Sequence, residues 1–134
     1  MKINIAKSAG FCFGVKRAVD TVYKESSKKN VYTFGPIIHN DEVVADLERQ
    51  GVHVINDSED FKSLSEGTII IRSHGVSKAI YDEILNAGLD LVDATCPFVR
   101  KIHKIVERES GDGRVIIIIG NNHLSLIHIS EPTR

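Results

Sequence analysis

The stretch Leu91-Val-Asp-Ala-Thr-Cys-Pro-Phe-Val99 predicts the end of a strand, a turn that carries Cys96, and a helix that begins at Pro97. Proline favours the first turn of a helix, because the amide hydrogen that it lacks would have no partner there. Cys96 is therefore predicted to lie just before a helix N-terminus and beyond the C-terminal end of a strand. Ligands bind at that edge of open α/β sheets, and the positive end of a helix favours a thiolate over a thiol.

Strand-like and helix-like patterns alternate along the rest of the chain. Short apolar runs are separated by stretches in which apolar residues recur at the helical spacing i, i+3, i+4. The loops are short enough for βαβ units, so the pattern predicts an α/β fold with a mainly parallel sheet and helices on both faces. The predicted strands are 2–6, 31–34, 52–55, 68–72, 89–93 and 115–119.

Capping residues mark two of the predicted helices. Asn40 and Ser77 are predicted N-caps, because their side-chain oxygens accept a hydrogen bond from a free backbone amide. The helix after Ser77 is predicted to turn Leu85 inward. The helix from Pro97 to about Glu109 is predicted to bury Phe98, Ile102, Ile105 and Val106.

The strand–helix rhythm restarts after Cys96, which predicts a domain boundary there. Residues 1–96, with the N-terminal strand and the Cys12 loop, are predicted to form a first α/β domain. Residues 97–123 are predicted to begin a second, similar domain that is truncated in this chain. A length of 134 residues is enough for one core and the start of another.

Composition and charge bear on the binding partners and on the cellular compartment of the protein. A formal net charge of -1 and a pI near 6.6 give no electrostatic case for binding nucleic acid or a membrane surface. No apolar run is long enough for a signal peptide or a membrane span. The two cysteines are therefore expected to be reduced, and the chain is expected to be a cytoplasmic protein.

Cys12 and Cys96 are the first candidates for catalytic or metal-binding residues. Both lie in predicted loops flanked by glycine or proline, which suits a metal or cluster ligand, or a nucleophile. An isolated cysteine is also a common small core residue, and that interpretation stays open. The close Cys-x-x-Cys spacing of a zinc site is missing from the sequence.

His39 and His74 each follow a predicted strand. Imidazolium groups at the edge of a sheet bind phosphate or relay protons, and the nearby Gly35 and Gly75 let backbone amides approach an anion. Arg72, at a strand end, is a weaker candidate for contact with an anion. The remaining histidines and several basic side chains are interpreted as surface groups: His53, His103, Lys16, Arg17, Lys101 and Lys104.

Four motifs together resemble the 4-hydroxy-3-methylbut-2-enyl diphosphate reductases, the last enzymes of the non-mevalonate isoprenoid route. They are Gly10-Phe-Cys-Phe-Gly-Val-Lys-Arg-Ala, Gly35-Pro-Ile-Ile-His-Asn, Arg72-Ser-His-Gly-Val and Asp93-Ala-Thr-Cys-Pro-Phe-Val. The resemblance runs from residue 1 to about 123, which is under half of a full family chain. It implies three similar α/β domains around a 4Fe–4S cluster that three cysteines hold.

The resemblance also implies roles for single residues. Cys12 and Cys96 match two of the three cluster ligands, while His39, His74 and His123 match residues that bind the diphosphate substrate. The implied reaction is reductive dehydroxylation to isopentenyl and dimethylallyl diphosphate. The implied electron donor is a protein such as ferredoxin or flavodoxin.

The chain also departs from the family pattern. After Gly120 the family continues with His-Pro-Glu, whose glutamate supplies protons, whereas this chain has Asn122-His123-Leu124-Ser125. The third cluster cysteine has no counterpart, and residues 124–134 match nothing in the family, as in a non-native tail. These departures predict an incomplete and inactive fragment of the reductase.

Two other functions remain open at this point. One is a non-catalytic α/β module that binds a phosphorylated small molecule through His39 and His74. The other is an enzyme with a cysteine nucleophile and His74 as its base.

Overall fold

A computed structural model describes residues 2–7 and 9–119 of the chain, so His123 and residues 124–134 lie outside the described part. Four parallel strands form one sheet in the order β2-β1-β3-β4. The predicted α/β class and parallel sheet are confirmed. The strands are β1 Val31–Phe34, β2 Val52–Ile55, β3 Thr68–Ile71 and β4 Asp90–Asp93.

Five helices precede, connect and follow the strands in the described residues. Two of them begin at the predicted caps, since Asn40 accepts a hydrogen bond from the Val43 amide and Ser77 accepts one from the Ile80 amide. The helices are α1 Phe13–Glu25, α2 Asp41–Arg49, α3 Glu59–Ser63, α4 Lys78–Asn86 and α5 Pro97–Gly111.

The core lies on both faces of the sheet. One cluster joins apolar residues of α1 and α2 to one face, and a second cluster joins α3 and α4 to the other. Every residue of β3 is buried, because this central strand is covered on both sides. The first cluster includes Ala18, Val22, Leu47 and Ile70, and the second includes Phe61, Ile69, Ile71 and Ile84.

Two predicted strands are wrong. Residues 2–6 form no strand, and the side chains of Ile3 and Ile5 are 74% and 83% exposed. Residues 115–119 also form no strand, although they are the most apolar run of the chain. An apolar run becomes a strand only when a neighbouring strand satisfies its backbone, and neither run pairs with a strand among the described residues.

The buried face of α5 also differs from the prediction. Val106 is buried, but Phe98, Ile102 and Ile105 are 70%, 42% and 43% exposed. Leu85 of α4 is likewise exposed rather than inward. No helix in residues 2–7 and 9–119 has the length and apolar character that a membrane span requires.

Candidate functional site

Three strand ends meet at one edge of the sheet. β1, β3 and β4 lie side by side, so the loops that follow them are neighbours. The ladder between β3 and β4 continues past the strands, because the Ala94 amide donates to the Ile71 carbonyl and the Cys96 amide donates to the Ser73 carbonyl. The predicted meeting of the His74 and Cys96 loops at this edge is therefore what the structure shows.

Cys96 occupies the N-cap position of α5, directly before Pro97. Its thiol is half-buried and makes no capping hydrogen bond within the described part of the chain. The start of the helix at Pro97 agrees with the prediction. The sulfur thus lies at the positive end of a helix, where an anionic ligand is stabilised.

Cys12 has the same position on a different helix. It is the N-cap of α1, it is exposed, and its thiol also makes no capping hydrogen bond to a described residue. The helix begins directly after it, two residues earlier than the loop through Gly14 predicts. The two cysteines are therefore free thiols, each at a helix N-terminus.

The first turns of α1 and α5 contact each other. The rings of Phe13 and Phe98 meet edge to face, with centroids 6.5 Å apart. A Cβ atom built at Gly14 would lie 2.5 Å from the Sγ atom of Cys96, so the glycine leaves the space that the thiol occupies. The two helices therefore bring the two cysteine turns to one place, which suits a shared ligand.

Arg17 joins these turns and corrects the surface interpretation. Its Nη1 atom donates a hydrogen bond of 3.2 Å to the carbonyl of Thr95, a residue 78 positions away along the chain. Lys16 differs, because it is exposed and pairs with Asp20 on its own helix. Arg17 therefore belongs to the cysteine region rather than to a solvated helix face.

His39 and His74 form the other half of the site. Their ring centroids are 6.3 Å apart, with His39 exposed and His74 half-buried. Arg72 lies close by, and its Nη1 atom would be 2.9 Å from a Cβ atom at Gly35, whose φ of +69° favours glycine. The predicted convergence of the two histidines is thus present, with one arginine beside it.

The charges around His74 favour the neutral imidazole. Burial lowers the pKa of His74 below its ordinary value of 6.5, and the positive charges of Arg72 and His39 lower it further. A bound anion reverses these effects, because it attracts the protonated ring. The protonation of His74 therefore depends on the charges beside it.

His103 is a residue that the sequence interpretation missed. It is half-buried, and its Cε1 atom would lie 2.8 Å from a Cβ atom at Gly75. Its Nε2 atom is buried and has no hydrogen-bond partner among the described residues. Burial lowers its pKa, while the negative charge of Asp93 opposes that shift. His103 thus packs against the loop that carries His74.

Asp93 organises the turn between β4 and α5. One carboxylate oxygen accepts a hydrogen bond of 2.8 Å from the Thr95 amide, and the other accepts one of 2.7 Å from Arg100. Thr95 is buried. The backbone that delivers Cys96 is therefore held from inside the sheet and from α5.

Stability is expected to fall on acidification, and His74 is expected to contribute. Because its pKa is lowered in the folded state, the unfolded chain binds more protons as the pH falls below about 6.5. The contribution of His74 to the free energy of unfolding is fully present above that pH and decreases as the pH falls below it. Urea unfolding at pH 7.5 and pH 5.5 measures the difference, which His74→Gln is expected to reduce.

The matched control is His53→Gln, which removes an exposed histidine from β2. That variant is expected to keep the pH dependence of the parent chain. An identical loss of stability between the two pH values in the parent and in His74→Gln would contradict the prediction.

The chain is similar to proteins of one known family. The sequence profile of the family described as LytB protein matches residues 3–127. A protein of Thermoanaerobacter sp. (strain X514) named 4-hydroxy-3-methylbut-2-enyl diphosphate reductase is 50% identical over 135 residues, which cover 97% of this chain and 46% of that protein. The protein of that name in Clostridioides difficile (strain 630) is 44% identical and covers 97% of this chain and 47% of its own length.

Solved structures show the same similarity. A structure of (E)-4-hydroxy-3-methyl-but-2-enyl diphosphate reductase, described as the terminal enzyme of the non-mevalonate pathway, has a TM-score of 0.77 and 40% identity over 93% of this chain and 44% of that one. A reductase structure from Plasmodium falciparum has a TM-score of 0.81 and 35% identity over 90% of this chain and 38% of that one. The chain spans about half the length of the curated relatives that it matches. Because the family model matches most of its residues, the chain belongs to the LytB family.

Proposed function

We propose that this chain is the part of a 4-hydroxy-3-methylbut-2-enyl diphosphate reductase that supplies two cluster thiolates and part of the diphosphate site. The reaction is reductive dehydroxylation to isopentenyl and dimethylallyl diphosphate. The observation that carries the proposal is the contact between the first turns of α1 and α5, which groups Cys12 and Cys96. The names of the relatives and neighbours support the substrate.

The two cysteines fit an iron–sulfur ligand set. Both thiols are free, both are at least partly accessible, and both sit where a helix N-terminus stabilises negative charge. When bound, a 4Fe–4S cluster supplies electrons one at a time and a Lewis-acidic iron. The family resemblance implies three cysteine ligands, and Cys12 and Cys96 are proposed as two of them.

The histidine pair is proposed to hold the diphosphate. Ring N–H groups of His74 and His39 donate hydrogen bonds to phosphate oxygens, and the guanidinium of Arg72 adds positive charge. Half-burial of His74 keeps water from part of this site and strengthens the attraction. His123, by its match in the family, is proposed as a third histidine for the substrate, and it lies outside the described residues.

The apolar surface of α5 supports the proposed second domain. Phe98, Ile102 and Ile105 form an exposed stripe, and residues 115–119 are mostly exposed as well. Apolar areas of this kind mark surfaces that another part of a protein covers. Since the relatives are about twice as long, we propose that residues 97–123 begin a domain that their additional length completes.

Two further features of the proposal follow from the thiols. Free cysteines that bind a cluster require a reducing compartment, so we propose the cytoplasm. The reaction consumes electrons, so we propose a one-electron donor protein such as ferredoxin or flavodoxin.

Serine substitution of the cysteines tests the proposal. The chain is reconstituted anaerobically with Fe²⁺ and sulfide, and the retained iron and sulfide are measured with the EPR spectrum. Cys12→Ser and Cys96→Ser are each expected to lower the retained iron by roughly tenfold or more, since loss of even an outer-shell partner has that effect. Turnover by the 134-residue chain is expected to be undetectable, because it holds two cysteines where three are implied.

Pyrophosphate binding separates this function from a simple phosphate-binding module. The serine variants are expected to bind pyrophosphate as the parent chain does, whereas His74→Gln is expected to bind it more weakly. A parent chain that binds pyrophosphate but retains no more iron than the serine variants would favour the module. Full turnover by the 134-residue chain would contradict the proposed third ligand.

A further inference from the structure

Two residues of α1 contact the turn that carries Cys96. Gly14 lies against the Cys96 thiol, and Arg17 donates to the carbonyl of Thr95. They are three positions apart and therefore lie on the same face of the helix. Cys12 caps this same helix, so whatever fixes α1 against the turn also fixes one thiol relative to the other.

The backbone of the turn is already held on its other sides. The Thr95 amide donates to Asp93, and the Cys96 amide donates to the carbonyl of Ser73. The first bond connects the turn to the end of β4, and the second connects it to the loop after β3. The hydrogen bond from Arg17 is the one that connects it to α1 among the described hydrogen bonds.

We infer that Arg17 is a positioning residue that fixes the first turn of α1 to the carbonyl before Cys96, and so sets the spacing of the Cys12 and Cys96 thiols. The residue is half-buried, so its side chain is partly enclosed by the elements that it joins. Its rigid planar donors suit a fixed contact better than a flexible ammonium group does. The value of a fixed spacing rests on the proposed function, but the spacing itself is a property of the folded chain.

A bifunctional thiol reagent measures this spacing directly. Dibromobimane becomes strongly fluorescent when it alkylates two neighbouring thiols, whereas monobromobimane reports the reactivity of each thiol alone. The normalised rate is the rate of cross-linking by dibromobimane divided by the rates at which the single thiols react. It is measured for the parent chain, Arg17→Gln and Arg17→Lys. The matched control is Lys16→Gln, which removes a neighbouring, exposed cation.

We expect Arg17→Gln to lower the normalised rate by roughly threefold or more, because effective concentration depends steeply on geometry. The normalised rate of Arg17→Lys is expected to lie between those of Arg17→Gln and the parent chain. The rate of Lys16→Gln is expected to equal that of the parent chain. Each rate is measured where circular dichroism shows the variant to be folded. If Arg17→Gln does not fold, Arg17→Lys decides the question.

An unchanged normalised rate in the folded Arg17 variants would overturn the positioning role, even if these variants melt at a lower temperature. That result would leave the proposed function in place, because iron retention and pyrophosphate binding test it separately. A parent chain that does not cross-link would overturn both the positioning role and the shared ligand site.

Discussion

Replacing Gly14 by alanine is expected to lower the free energy of unfolding, because inserting a methyl group into a closely packed contact costs about 1–3 kcal/mol. The added Cβ atom would lie 2.5 Å from Sγ and 2.9 Å from Cβ of Cys96. Alanine favours a helix over glycine by up to about 1 kcal/mol, which offsets only part of this effect. The variant is also expected to displace the Cys96 thiol and to reduce iron retention.

Gly111→Ala is the matched control for this prediction. Gly111 is the last residue of α5, and a Cβ atom there would have no neighbour among the described residues within 4 Å. This variant is expected to be as stable as the parent or slightly more stable. Equal stability of the two variants in urea, with unchanged iron retention, would contradict the close contact at Gly14.

Gly75→Ala is expected to have the second large effect, through two separate causes. Gly75 has a φ of +80°, a conformation that costs an L-residue roughly 1–2 kcal/mol. Its new Cβ atom would also lie 2.8 Å from Cε1 of His103 and 3.2 Å from Cγ2 of Thr95. The loop that carries His74 is therefore expected to move, which weakens pyrophosphate binding as well as the fold.

Gly88→Ala separates these two causes. Gly88 has a φ of +73°, but a Cβ atom there would meet no described atom within 4 Å. It is expected to show the backbone effect alone, so Gly75→Ala is expected to lose more stability. The double variant Gly75→Ala/His103→Ala is expected to recover part of the difference, and equal losses for the two glycine variants would argue against the His103 contact.

The parts of the fold that the sequence predicts correctly depend on local signals. Four of the six predicted strands form, and Asn40 and Ser77 cap their helices, because capping and β-branched runs act over a few residues. The parallel order follows from the short connections between them. These signals are sufficient to predict that the loops after β3 and β4 meet.

The incorrect predictions concern segments whose structure depends on residues that are distant in the sequence. The apolar stripe of α5 predicts burial of Phe98, Ile102 and Ile105, but the face that contacts the domain carries Val99, His103 and Val106. That face is less apolar, so periodicity alone selects the wrong side of the helix. Residues 2–6 and 115–119 fail as strands for a related reason, since a strand requires a partner.

Local sequence signals also predict some residues of the candidate site and miss others. The positions of Cys12, Cys96, His39 and His74 are predictable, because each follows a helix-start or strand-end signal. Arg17 is not predictable, because its partner is 78 residues away and a basic residue on a helix is usually solvated. His103 is missed for the same reason, although its spacing from Val106 marks the inward face.

The bond between Arg17 and Thr95 links the first helix of the described fold to the turn after its last strand. During synthesis the Cys12 segment leaves the ribosome well before Cys96 does, and the parallel pairs between them join residues far apart in sequence. The turns that carry the two cysteines therefore meet only once this sheet is assembled. A ligand that needs both cysteine turns can therefore bind only after the domain has folded, so binding of such a ligand would report completed folding.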